Sequence, residues 1–246
     1  MLELSLIQWS ILALAAVIIG LSKCGLPGMG ILAIPIVAAV IPAKISTGFI
    51  LPMLIAGDVL GVFYYHRHAE WPRLFRLFPW AIIGVIIGWF SMDRLNDAQI
   101  RPIIGGIVLV MLVLNLWRQR FADPESTIPH HHGVAIVIGL LAGFTTMMAN
   151  AAGPIMVIYL LAMRLPPNSF LGTSAWYFLL LNTFKVPFSA QLGLITVSSL
   201  TFNAMLLPFI GLGAWLGIRF ASRIPRKLFE QLIQIFAAIG AIKLFF

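Results

Sequence analysis

Three charged side chains stand inside long apolar runs: Lys23, Asp58 and Lys185. An ion at the centre of a bilayer costs at least ~2.5–3.5 kcal/mol, so each needs a partner, water or a ligand. Lys23 can offer a cationic contact to an anion, or it can snorkel its head to the interface from a hairpin tip or end. Lys185, two residues before Pro187, has the same two options. Asp58 lies mid-way along its run and admits three roles: a proton-coupling group, a salt-bridge partner of Lys23 or Lys185, or a hydrogen-bond acceptor that orients nearby backbone. Asn182 stands 124 positions further on and is expected to satisfy freed backbone around it. Ser22, Thr145, Thr146 and Asn150 add neutral polar groups that suit either an anion or freed backbone. Gly25, Gly28, Gly30 and Gly153 can present backbone N–H groups closely to a ligand.

Other chemistries find less support. His130, His131 and His132 form the one cluster that suggests a metal, but three consecutive rings cannot easily turn to one ion, and a polar loop explains them. No cofactor or metal is therefore expected. His66 and His68 flank Arg67 at the end of an apolar run, and Trp71, Trp80, Trp89 and Trp117 suit interface anchors or packing. A membrane-embedded enzyme using Lys23, Asp58 or Lys185 would need company that is missing: there is no Gly-x-Ser-x-Gly elbow, no metal box and no pair of acids on one helix face.

The elements that must carry these residues follow from composition. The 246 residues are 61% hydrophobic and 10% charged, with a mean hydropathy of +1.01. A soluble domain carries about a quarter charged residues, and a disordered chain is less apolar still. The single cysteine, Cys24, excludes an intramolecular disulfide. The net charge of +8 does not point to nucleic acid, because the cations lie scattered between apolar runs rather than in a patch. An all-α polytopic membrane protein is expected. The first run has no basic stretch ahead of it and is too long for a cleaved leader. Apolar runs cover 5–41, 46–65, 74–92, 102–117, 134–163, 169–187, 200–218 and 228–246. Six suit one crossing each; the first and fifth, at 37 and 30 residues, exceed the hydrocarbon thickness of about 30 Å. Each of these two carries breakers near its middle, Gly25, Pro27, Gly28 and Gly30 in one and Gly143, Gly153 and Pro154 in the other. Two helices joined by an elbow are expected in both.

The two long runs also head two matching halves. Gly20 and Gly30 precede Gly143 and Gly153 by 123 residues; Pro79, Gly84, Gly88 and Arg94 precede Pro208, Gly213, Gly217 and Arg223 by 129. If both long runs enter and return as hairpins, Arg67, Arg73, Arg76, Arg118, Arg120, Arg164, Arg219, Arg223, Arg226 and Lys227 share one side, with Lys44, Arg94 and Arg101 opposite. The positive-inside rule makes the crowded side cytoplasmic. The expected architecture is an inverted-topology repeat, each half holding one broken re-entrant hairpin and three single crossings. Residues 1–122 form the first half, 123–133 a polar cytoplasmic linker and 134–246 the second half. Opposed broken segments are the architecture of secondary transporters, because irregular backbone in a bilayer must line a cavity. A pore could use the same elbows, so an anion channel stays open as an alternative.

Gly28, Met29, Gly30, Ile31, Leu32 and Pro35 resemble the glycine-rich motif that opens the sulfite exporter TauE/SafE family, and Gly143, Asn150, Gly153 and Pro154 resemble its second-half motif. Met29 stands where the family more often has glycine, which is expected to narrow or shift the elbow. The resemblance spans the whole chain in length, duplication and segment order. It implies a multi-pass permease of the bacterial inner membrane for small anions such as sulfite and organosulfonates, and it suggests export as the direction. Beside the anion and the lipid bilayer, a coupling proton or cation is a further partner to expect of a secondary transporter. The substrate-binding set expected is Ser22, Lys23, Gly25, Gly28, Gly30, Asp58, Thr146, Asn150, Gly153, Asn182 and Lys185.

Overall fold

A computed structural model of the chain describes residues 5–26, 28–121, 132–163, 165–220 and, near the C terminus, 235, 238–239 and 241–245. The described residues are helical, without strands. Nine α-helices are seen among the described residues, in order: α1 (Leu6–Cys24), α2 (Ala33–Ala38), α3 (Ala43–Tyr65), α4 (Trp71–Asp93), α5 (Asp97–Phe121), α6 (His132–Ala149), α7 (Gly153–Ala162), α8 (Pro167–Gln191) and α9 (Val197–Phe220). Five helical stretches among the described residues are long and apolar enough to cross a membrane: Leu6–Cys24, Ala43–His68, Trp71–Asp93, Asp97–Leu114 and Val197–Arg219. Most of the linker, with His130 and His131, and most of the final apolar run lie outside the described residues.

Local sequence accounts for the boundaries. Ser5 opens α1 with a capping box, its hydroxyl accepting from the Gln8 N–H while the Gln8 side chain accepts from the Ser5 N–H. Prolines start others: Pro42 precedes α3, Pro72 sits in the first turn of α4, and Pro166 and Pro167 open α8. Both over-long runs are divided, the second just before Gly153 and Pro154, whereas Gly143, also expected as a breaker, lies inside α6. The first stops at Cys24, passes through Gly28 at φ +95°, and resumes as a 3-10 turn, Met29–Leu32, that runs into α2. The second stops at Ala149, passes through Asn150 at φ +54°, and resumes as α7. Left-handed backbone is open to glycine and tolerated by asparagine, so each break carries one residue suited to the turn. The Met29 side chain is buried in the apolar core, away from the elbow's open side.

Helix crossings bring the breaks together. α1 packs along α9, α4 along α6, and α3 along α8. Glycine makes the first two crossings close: a Cβ on Gly20 would enter the Ile210 carbonyl oxygen, and one on Gly143 would enter that of Ala81. Gly213 lies as tightly on Val17, and Gly84 on Leu140. The contacts of the two crossings correspond at the same spacings, 123 and 129 residues, that relate the sequence halves. Large apolar side chains such as Phe63, Phe75, Val113 and Leu141 face outward, as a lipid-facing surface requires.

Candidate functional site

The two breaks face each other across one small cavity. Gly28 and Gly153 are near neighbours, a Cβ on Gly153 falling 3.8 Å from the Gly28 Cα. The space between them is about 50 Å³. That holds a few waters or one small polyatomic ion, well short of the ~300–1,000 Å³ of drug-sized pockets. Its wall includes Ser22, Lys23, Gly28 and Gly30 from the first break and Thr146, Asn150, Gly153 and Pro154 from the second. α3 contributes Asp58 and α8 contributes Asn182. Nine of the eleven expected residues thus meet at one place. Gly25 and Lys185 do not reach the wall. Gly25 packs instead on the backbone of Gly217, where a side chain has no room.

Lys23 and Asp58 are the charged groups on the wall. Lys23, in the last turn of α1, places Nζ 2.7 Å from Asp58 Oδ1 and 4.1 Å from the centre of the Phe178 ring. Its side chain is 12% exposed, whereas that of Asp58 is wholly buried. The second Asp58 oxygen, Oδ2, accepts from Asn182 Nδ2 at 2.7 Å. Asn182 therefore bonds across to α3, rather than serving only the backbone around it. Of the roles open to Asp58, the ion pair with Lys23 is the one the geometry displays.

Lys185 forms a layer behind the wall. It is 1% exposed and does not snorkel. Its ammonium donates to the Thr146 carbonyl at 2.8 Å, to Thr146 Oγ1 at 3.1 Å and to Asn150 Oδ1 at 2.6 Å, with Asn182 Oδ1 at 3.5 Å. Three N–H groups thereby meet three close acceptors. Asn150 in turn donates Nδ2 to the Thr47 carbonyl of α3 at 2.8 Å. At the first break, the Gly30 N–H donates to Ser22 Oγ at 2.8 Å. Every expected polar side chain is therefore fixed by a neighbour. The one with an open flank on the cavity and a displaceable partner is Lys23.

The arrangement suits an anion. On the wall itself the Lys23 ammonium stands beside open space with one carboxylate as its partner, in a low-dielectric setting where a further negative group is strongly attracted. The start of α7, Gly153–Pro154, turns its positive dipole end to the same space. The apolar side of the cavity, Ile31, Leu54, Val157, Leu171 and Phe178, lies outside the set expected from the sequence. Spacing carried a usable sign: Leu171, Ser174, Phe178 and Asn182 recur every three or four residues along α8, and Leu54 precedes Asp58 by one turn.

Neither a comparison with curated proteins nor one with solved structures found a match. The family model of sulfite exporter TauE/SafE matches residues 12–244, nearly the whole chain. With paired helix breaks, apolar helices and a lysine-bearing cavity, the chain belongs to the sulfite exporter TauE/SafE family of membrane anion exporters.

Proposed function

We propose that the chain exports small anions such as sulfite or organosulfonates as a secondary transporter, by alternating access at the cavity between its two breaks. The observation that carries this is the position of Lys23: a cation on the wall of an ion-sized space, held by one carboxylate and lined by both broken segments. The corresponding glycine crossings of α1 on α9 and α6 on α4 support an inverted-topology repeat of 1–122 and 134–246. Each half then holds a re-entrant hairpin and three crossings, and rocking one half against the other exposes the cavity to each side in turn. The scattered cations support a cytoplasmic linker at 123–133 in a bacterial inner membrane.

The entering anion competes with Asp58 for Lys23. Ser22, Thr146, Asn150 and the backbone at Gly28, Gly30 and Gly153 surround it, while Lys185 and Asn182 keep those groups in place. Asp58, released from Lys23, is then the group on the wall that can take up a proton. Anion and proton then occupy the cavity together, and departure of both restores the ion pair. Asp58 is the coupling group in this scheme.

Reconstitution in liposomes tests it, with sulfite flux and internal pH followed together. Wild type is expected to move sulfite and protons in a fixed ratio. Lys23→Met should cut sulfite flux at least about tenfold, the cost of one charge-assisted contact. Asp58→Asn keeps the Asn182 contact and frees Lys23, so sulfite should still move while the proton movement disappears. Proton movement unchanged in Asp58→Asn rejects the coupling role, and no anion movement under any gradient rejects the transporter. Single-channel currents would select a pore instead.

A further inference from the structure

A second, wider space lies at the other end of α7. It measures about 390 Å³ and is lined by Pro72, Arg73 and Arg76 of α4, by Tyr159 of α7 and by Met163 just beyond it. None of these residues touches the central cavity. α7 joins the two: Gly153, Pro154 and Val157 face the central cavity, and Tyr159 faces the second. Ten helical residues span about 15 Å.

The second space is basic. Arg73 donates to the Met163 carbonyl at 3.4 Å and stands 3.8 Å from the Glu70 carboxylate, a long pairing between partly exposed groups. Among the described residues no carboxylate lies within ion-pair distance of Arg76, which is exposed. Two guanidinium groups against one carboxylate leave a positive charge, and Tyr159, 2% exposed, backs them with an aromatic wall. Guanidinium presents parallel N–H groups that fit a pair of oxygens on phosphorus or sulfur.

We propose that this pocket is a second anion site, distinct from the central cavity, which takes an oxyanion group (phosphate, sulfonate or sulfite) in partly hydrated form. Volume supports the division of labour. The central cavity admits a small ion nearly bare, whereas the second space has room for the ion together with water, or for a phospholipid headgroup. An anion could then be gathered at the surface and shed water on passing along α7. The placement at the cytoplasmic face rests on the topology proposed above; the binding chemistry does not.

Titration calorimetry on the full-length protein in detergent tests the site with inorganic phosphate and with sulfite. Native mass spectrometry after incubation with phosphatidylglycerol tests the lipid source. Arg73→Gln/Arg76→Gln is expected to weaken phosphate binding by well over tenfold, the loss of two charged contacts, while Lys23→Met leaves it intact. Arg76→Gln alone, at an exposed position, keeps the test open if the double variant does not fold. Phosphatidylglycerol retained by wild type and lost from the arginine variants, without phosphate binding, identifies the headgroup as the ligand. Phosphate and lipid binding both absent, or both unaffected by the arginine variants, overturns the proposal. Transport failure with this binding intact would instead count only against the carrier scheme.

Discussion

The two lysines of the site have opposite circumstances. Lys23 pairs with one carboxylate and an aromatic face beside open space, whereas Lys185 spends its N–H groups on Thr146 and Asn150. Lys185→Met keeps the length of the stem but strands buried acceptors, at about 1–3 kcal/mol for each one left unsatisfied. The unfolding temperature in detergent should therefore fall further for Lys185→Met than for Lys23→Met, while sulfite affinity suffers more in Lys23→Met. Equal stability of the two variants would contradict the supporting role of Lys185. The sequence alone leaves Lys185 near the end of an apolar run that stops at Pro187. α8 continues through Pro187 to Gln191, which places Lys185 well inside the helix and removes the option of snorkelling. Asn182 illustrates the same limit: helical spacing sets it one turn from Lys185, but its bond to Asp58 depends on α8 lying against α3.

Glycine decides how closely the helices cross. Gly20 and Gly143 both lie against partner backbone, which cannot yield as a flexible side chain does. Gly20→Ala and Gly143→Ala should each destabilise by about 1–3 kcal/mol, the usual cost of overpacking. Gly106 in α5 has nothing within 4 Å of a new Cβ. Gly106→Ala should be neutral or slightly stabilising, since alanine is the better helix former by about 1 kcal/mol. Thermal unfolding of the three variants side by side measures the contrast, and a comparable loss in Gly106→Ala would deny the crossings their special role. The breaks at 25–28 and 150–152 were legible because glycine and proline act on their own backbone. Their mutual approach, with Gly28 beside Gly153, was not, because it needs both crossings at once.

The inverted arrangement proposed above predicts that the linker and Val197, at the start of α9, are reached from opposite sides of the membrane. In a Cys24→Ala background, Ile128→Cys and Val197→Cys should react with an impermeant thiol reagent from different faces of the cell membrane; labelling from one face would reject the inverted arrangement. Cys24 is fully buried, and Tyr65 Oη donates to its backbone carbonyl, so the background substitution leaves that bond in place. By itself the sequence determined a helical membrane protein, two interrupted segments and the residue types around them. Hydropathy, helix breaking and charge placement act through neighbours in the chain, and one strand of text records them. Only the tertiary structure decided which lysine faces the cavity, which partner holds Asp58 and where Arg73 and Arg76 meet Tyr159. Those pairings join positions as far apart as α1 and α3, α3 and α8, or α4 and α7. Their distances follow from how whole helices pack, which no local pattern contains.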